Sequence, residues 1–145
     1  MADERRGARS VARESALMML FGIEAAGTEP QNASRDFFAE LAGDAGLTTD
    51  DEARAYAREI AEGVRAGLER IDATIKNASE HWRLERMSRF DRNVLRIGVW
   101  ELETGVPRPV TIDEAVELAK RFGTSDSGAF VNGILDRVAE NLGVR

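Results

Sequence analysis

Apolar residues recur along this chain at steps of three and four, and no stretch alternates them with polar residues at every second position. That period gathers them on one face of a helix and not on one face of a strand, so the chain reads as all-α. The pattern is sharpest in the last third. Val94, Leu95, Gly98, Val99 and Leu102 form one stripe, after which Gly105, Pro107 and Pro109 stop the helix. A second helix is predicted to open with Thr111 and Glu114 in capping-box spacing, where hydroxyl and carboxylate can each satisfy a free backbone N–H. Its stripe is Ile112, Ala115, Val116, Ala119 and Phe122. Asp113 and Glu114 at its start, with Lys120 and Arg121 at its end, suit the helix dipole, and Gly123 can supply a left-handed residue to end it. A third helix follows, with Thr124, Ser125 or Asp126 able to cap it and Phe130, Val131, Ile134, Leu135 and Val138 facing inward.

Upstream, residues 1–8 are polar and predicted to be flexible. A helix from Arg9 to about Ala26 turns Ala12, Ala16, Met19, Leu20 and Ile23 inward and ends at Gly27, and Thr28 to Ala33, carrying Pro30, reads as a loop. A short helix from Ser34 to Ala42 brings in Phe37, Phe38 and Leu41, and the connector after it ends in Thr49 or Asp50 as cap. From Asp51 to about Ala78 a long stripe runs through Ala53, Ala57, Ile60, Val64, Leu68, Ile71 and Ile75. Gly63 and Gly67 each weaken that helix by about 1 kcal/mol relative to Ala. Either another helix crosses closely there or this one bends, with a break expected near Glu69 to Asp72. Ser79 to Ser88, holding Trp82, Leu84 and Met87, reads as a turn and a short helix. The expectation is a single domain over 1–145 with about seven helices in two small packed bundles, about 9–78 and about 79–145.

At 145 residues the chain can bury about two-thirds of its unfolded surface without a disulfide or a metal. It has no Cys and one His, so it offers neither a thiol nucleophile nor a Cys/His zinc cluster. Arg5 and Arg6 ahead of the apolar run Ala16 to Ile23 superficially suggest a twin-arginine export signal. Arg13 and Glu14 lie directly against that run, however, and no stretch approaches the roughly 18 apolar residues of a membrane span. A cytoplasmic protein without a membrane segment is expected. The formal net charge of −6 argues against a coat for nucleic acid, so RNA binding would have to be local and shared with a partner.

The candidate chemistry lies in three places. Arg5, Arg9 and Arg13 follow one another at i+4 steps beside Arg6, so an ordered leading helix presents them as a basic strip; a solvated, fraying terminus is the simpler reading. Guanidinium groups can fork two N–H donors onto phosphate or stack on an unpaired base. Phe21, about two turns beyond Arg13, is either a stacking surface or a core residue. Ser125, Asp126 and Ser127 put hydroxyls, a carboxylate and free N–H groups at a helix start, although capping alone explains them. Gly123 and Gly128 lack the spacing of a phosphate loop. Arg83, Arg86, Arg89, Arg92 and Arg96 make the most basic stretch, either a solvated face or a guide for RNA or an acidic partner. His81 has no nucleophile linked to it by a motif, and cap and dipole roles account for Asp113, Glu114 and Glu117 more simply than a metal does. No catalytic residue, metal site or cofactor is expected.

The order VLRIGVWEL, a Pro-bearing loop, IDEAVELAKRFG, a polar turn and DSGAFVNGILD closely resembles the C-terminal half of NusB transcription antitermination factors. The resemblance implies the NusB-like all-α fold and a non-enzymatic factor. Such a factor binds the boxA element, a single-stranded RNA of nascent ribosomal transcripts, jointly with the ribosomal protein NusE. It acts on the RNA polymerase elongation complex with other Nus factors. It also implies RNA contacts at the amino-terminal arginines, where Arg9 and Arg13 match but Ser10 and Val11 interrupt a denser cluster, and at Phe21, Asp126 and Phe130. Ala129 stands where a basic residue can occur, and Val131, Ile134 and Leu135 fall in the core. Asn132 and Gly133 read as packing residues, the Gly for a close helix approach and the Asn for a buried or half-buried hydrogen bond. Asp91 and Arg96 match positions facing NusE. A homodimerising helical scaffold is the competing reading from another class. An accessory domain of an RNA methyltransferase is the other, set back by a chain that stops at Arg145. The RNA reading requires the leading arginines to lie outside the core, on a common outer edge with Asp126 and Phe130.

Overall fold

All regular structure among the described residues is helical: six α-helices and two short 3-10 turns, with no strand. The structure, a computed structural model, describes residues 7–32, 50–79 and 83–145. The expected helix from Ser34 to Ala42, and the readings of Arg5, Arg6, Thr49, His81 and Trp82, lie outside the described residues. The chain divides into two compact units, Met1–Ala66 and Gly67–Arg145. The division falls at Gly67 and not, as expected, after Ala78.

In the first unit, α1 (Ala8–Ala25) packs on α2 (Asp51–Ala66), and the 3-10 turn Pro30–Asn32 touches both. The anticipated stripe of α1 is buried throughout, and Leu17 joins it with no exposed surface. Each such aliphatic side chain contributes roughly 1.5–3 kcal/mol when fully buried. Asp50 caps α2: its Oδ1 accepts from the N–H groups of Glu52 at 2.8 Å and Ala53 at 3.3 Å. Two of the helix's orphan donors are thereby satisfied.

The long helical pattern breaks at Gly67, just ahead of the expected place, and α3 (Leu68–Ala78) begins the second unit. It packs on α4 (Arg89–Glu103) and α6 (Ser127–Leu142), and α5 (Arg108–Phe122) packs on both of those, the core of the unit holding Ile71, Ile75, Leu95, Val99, Ala119, Leu135 and Val138. A Cβ on Gly98 of α4 would stand 2.7 and 2.9 Å from the two Leu135 methyl carbons, so any side chain there would force the buried Leu135 to shift where α4 and α6 approach. On the surface, hydrogen bonding to Glu103 holds the Arg70 guanidinium above its ordinary pKa and ties α3 to α4.

Local chemistry at the ends of α5 and α6 departs from expectation. Helix α5 starts at Arg108 and not at Thr111, because Pro107 precedes it and Pro109 sits in its first turn, where a missing N–H costs nothing. Thr111 is fully buried, and its hydroxyl points at the Val106 carbonyl at 3.5 Å in place of forming a capping box. Gly123 is extended and not left-handed. It is needed for space, since a Cβ there would meet the Ser127 Cβ at 2.7 Å and the Ala119 carbonyl at 2.8 Å. Asn132 and Gly133, expected to pack, are both exposed, and a Cβ on Gly133 would meet nothing within 4 Å.

Candidate nucleic-acid interface

The start of α6 and the approach to α4 together line a cleft of about 440 Å³ in the second unit, walled by Arg86, Ser88, Asp91, Thr124, Asp126 and Phe130 above Met87 and Ser127. Its geometry follows from two helix starts. Ser88 is the N-cap of α4, its Oγ accepting the Asp91 N–H at 3.1 Å, which holds Asp91 in the first turn facing the cleft. Asp126 is the residue before α6 and makes no side-chain cap hydrogen bond; its carboxylate is exposed. Ser127 is the residue that closes the turn. It is 1% exposed, and its Oγ accepts the Thr124 N–H at 2.9 Å. The expectation that Ser127 presents its hydroxyl outward is therefore corrected: it builds the floor. Ser125 is exposed and does not line the cleft.

Phe130 is half-buried, one turn into α6 on the cleft wall, whereas Val131, Ile134 and Leu135 are buried behind it. Asp91 Oδ1 is shielded from solvent and has no hydrogen-bond partner among the described residues. An aromatic face, a cation on Arg86 and an exposed carboxylate on Asp126 are a set that suits an unpaired base and its phosphate. The sequence separates Asp91 from Phe130 by role, yet one cleft holds both.

Arg96 is not at the surface. It is 4% exposed, and its Nε and Nη2 donate to the two Asp72 carboxylate oxygens at 2.8 and 2.9 Å, while Nη1 donates to Asn93 Oδ1 at 3.1 Å. Its anticipated partner-facing role gives way to a fork that joins α4 to α3, because a planar guanidinium matches a carboxylate with two parallel hydrogen bonds. The basic run is accordingly not one strip. Arg83, Arg86 and Arg89 are exposed, and Arg92 is half-buried with Nη1 3.4 Å from the Leu84 carbonyl.

In the first unit, the arginine strip also splits. Arg9 is exposed with its Cζ 3.9 Å above the Tyr56 ring, but Arg13 is only 3% exposed, its Cζ 5.9 Å from the same ring centroid. The expectation of Arg13 as an outward phosphate ligand is corrected on that ground. Phe21 is half-buried, which leaves part of its ring accessible.

Residues 10–140 match the model of the NusB family. The chain belongs to the NusB family. The transcription antitermination protein NusB of Sorangium cellulosum (strain So ce56) is 55% identical over 139 residues, which cover 94% of this chain and 95% of that protein. Among solved structures, T. maritima NusB superposes with a TM-score of 0.77 at 39% identity, covering 91% of this chain and 90% of that one. Antitermination factors NusB and NusE in complex with double-stranded RNA give a chain that superposes with a TM-score of 0.78 at 26% identity, covering 92% of this chain and 97% of that one. The NusB family accounts for the all-α architecture expected from the helical stripes. Ser88 and Thr124 were not singled out from the sequence as lining a site, whereas Arg86 belonged to the basic run read either as a solvated face or as a guide for RNA or an acidic partner. The spacing of Ser88 and Asp91 did carry a signal, a hydroxyl N-cap three residues ahead of a carboxylate. Among the described residues no helix is long and apolar enough to cross a membrane, and no cluster of three His or acidic side chains could hold a metal ion.

Proposed function

We propose that this chain is a transcription antitermination factor that binds boxA-type RNA of nascent ribosomal transcripts together with NusE, and acts in the cytoplasm on elongating RNA polymerase without catalysing a reaction. The observation that carries the proposal is the Phe130 cleft, with its aromatic wall, exposed Asp126 and exposed Arg86. The likeness to a NusB in complex with NusE and RNA supports the same partners here. In this reading a base stacks on Phe130, Asp126 and Ser88 take its polar edge, and Arg86 pairs with phosphate. Arg9 and Phe21 contact the same RNA from the first unit, together with Arg5 and Arg6, while Asp91 remains the candidate toward NusE. A net charge of −6 predicts weak binding alone and tighter binding once a basic partner supplies further cations.

The test is a titration of labelled RNA, with and without NusE, at two salt concentrations, comparing single-stranded boxA RNA with a scrambled strand and a duplex. The reading expects NusE to tighten binding and the boxA strand to win. Equal affinity for all three RNAs, or no gain from NusE, would falsify it. Cross-linking from Arg9 and from Phe130 to one RNA molecule checks that both units engage it.

A further inference from the structure

Helix α1 carries two arginines one turn apart, and across from them α2 offers a single aromatic ring. Arg9 and Arg13 lie at i and i+4, so their side chains project from the same face. Tyr56 is 6% exposed and takes both guanidinium groups, with Arg9 Cζ at 3.9 Å and Arg13 Cζ at 5.9 Å from its centroid. Like charges at this spacing repel, and the negative face of the ring offsets part of that repulsion. The two arginines then differ in access: Arg13 is enclosed, while Arg9 is exposed and able to reach an incoming phosphate.

We infer that Tyr56 is a positioning residue for RNA binding: its ring holds the Arg9 guanidinium in place before RNA arrives. The inference rests on the RNA-binding reading above and adds to it a residue that does not touch RNA. A free arginine samples many rotamers, and restricting them beforehand lowers the entropy lost on binding. Arg9 lies over the ring face with a planar, weakly hydrated guanidinium, a contact that the compact, strongly hydrated ammonium of lysine makes less well.

The test uses the full chain with NusE and a boxA strand, comparing wild type, Tyr56→Leu, Arg9→Ala and the double variant, with Tyr56→Phe as the ring-keeping control. Tyr56→Leu is expected to weaken binding about fivefold and Arg9→Ala about tenfold, the double variant being no weaker than Arg9→Ala alone. Tyr56→Phe is expected to bind as wild type does. If Tyr56→Leu weakens binding equally with and without Arg9, its role is structural only and the inference falls. Should Tyr56→Leu fail to fold, Arg9→Lys carries the test: several-fold weaker binding at unchanged thermal stability is expected, and wild-type affinity overturns the inference. An NMR measurement reads the geometry directly, since the ring current of Tyr56 should shift the Arg9 side-chain protons upfield in the free protein. Wild-type protein that binds no RNA would remove the functional reading itself, an outcome distinct from binding that is present but indifferent to Tyr56.

Discussion

Two stretches of this protein carry arginines at helical spacing, and the fold treats both alike. At the start of α1, Arg9 stays outside and Arg13 is buried; at the approach to α4, Arg83, Arg86 and Arg89 stay outside and Arg96 is buried. What differs is the group that receives the inner arginine. Arg13 meets a tyrosine ring, while Arg96 meets the carboxylate of Asp72 through two hydrogen bonds. A ring accepts a cation loosely and can share it with Arg9, whereas a bidentate carboxylate fixes one guanidinium in one orientation. The bidentate arrangement fastens two helices together.

The sharpest way to break this comparison is Arg96→Ala, which leaves Asp72 without its partner in a largely enclosed setting. Denaturant unfolding should show a loss of about 3–5 kcal/mol; a loss below about 1 kcal/mol would place Arg96 with the solvated arginines. Next comes the glycine pair, which applies the same contrast between inside and outside without charge. Gly98→Ala drives a methyl against Leu135 and should cost about 1–3 kcal/mol. Arg13→Ala should cost about 2 kcal/mol and Arg9→Ala less than about 1 kcal/mol, as expected for an enclosed and an exposed cation on one ring. Equal costs would mean that their difference in burial has no energetic consequence. Gly133→Ala, on the open face of α6, should raise stability by up to about 1 kcal/mol. Smallest in stability, within about 0.5 kcal/mol, is Arg86→Ala. Its effect should appear in RNA titrations, where the slope of affinity against salt falls by about 1.

The cleft was half legible in advance. Asp126 and Phe130 could be singled out from the resemblance of DSGAFVNGILD, and Asp91 from the sequence around VLRI, but nothing in one dimension places Asp91 and Phe130 around one cavity. That needs α4 and α6 to pack, which depends on the missing side chain of Gly98 and the reach of Leu135. The same limit explains the misplaced start of α5. Thr111 and Glu114 have capping-box spacing, yet Pro107 and Pro109 already suit a first helical turn, and burial of Thr111 removes the solvent-facing position that a cap occupies. At Gly133 the sequence suggests close packing where the structure leaves open space.

By itself, the sequence determined where helices form and which side of each is apolar, because hydrophobic period, prolines and capping residues act within a few residues of one another. Ala12 to Ile23, Val94 to Leu102 and Val131 to Val138 supply the buried stripes that were anticipated. Only the tertiary structure decided which charged residues stay exposed and which are internal ties. An arginine's long side chain can lie in water, on a ring or against a carboxylate at almost the same local cost, so its fate is set by what the neighbouring helix brings within reach: Tyr56 for Arg9 and Arg13, Asp72 for Arg96.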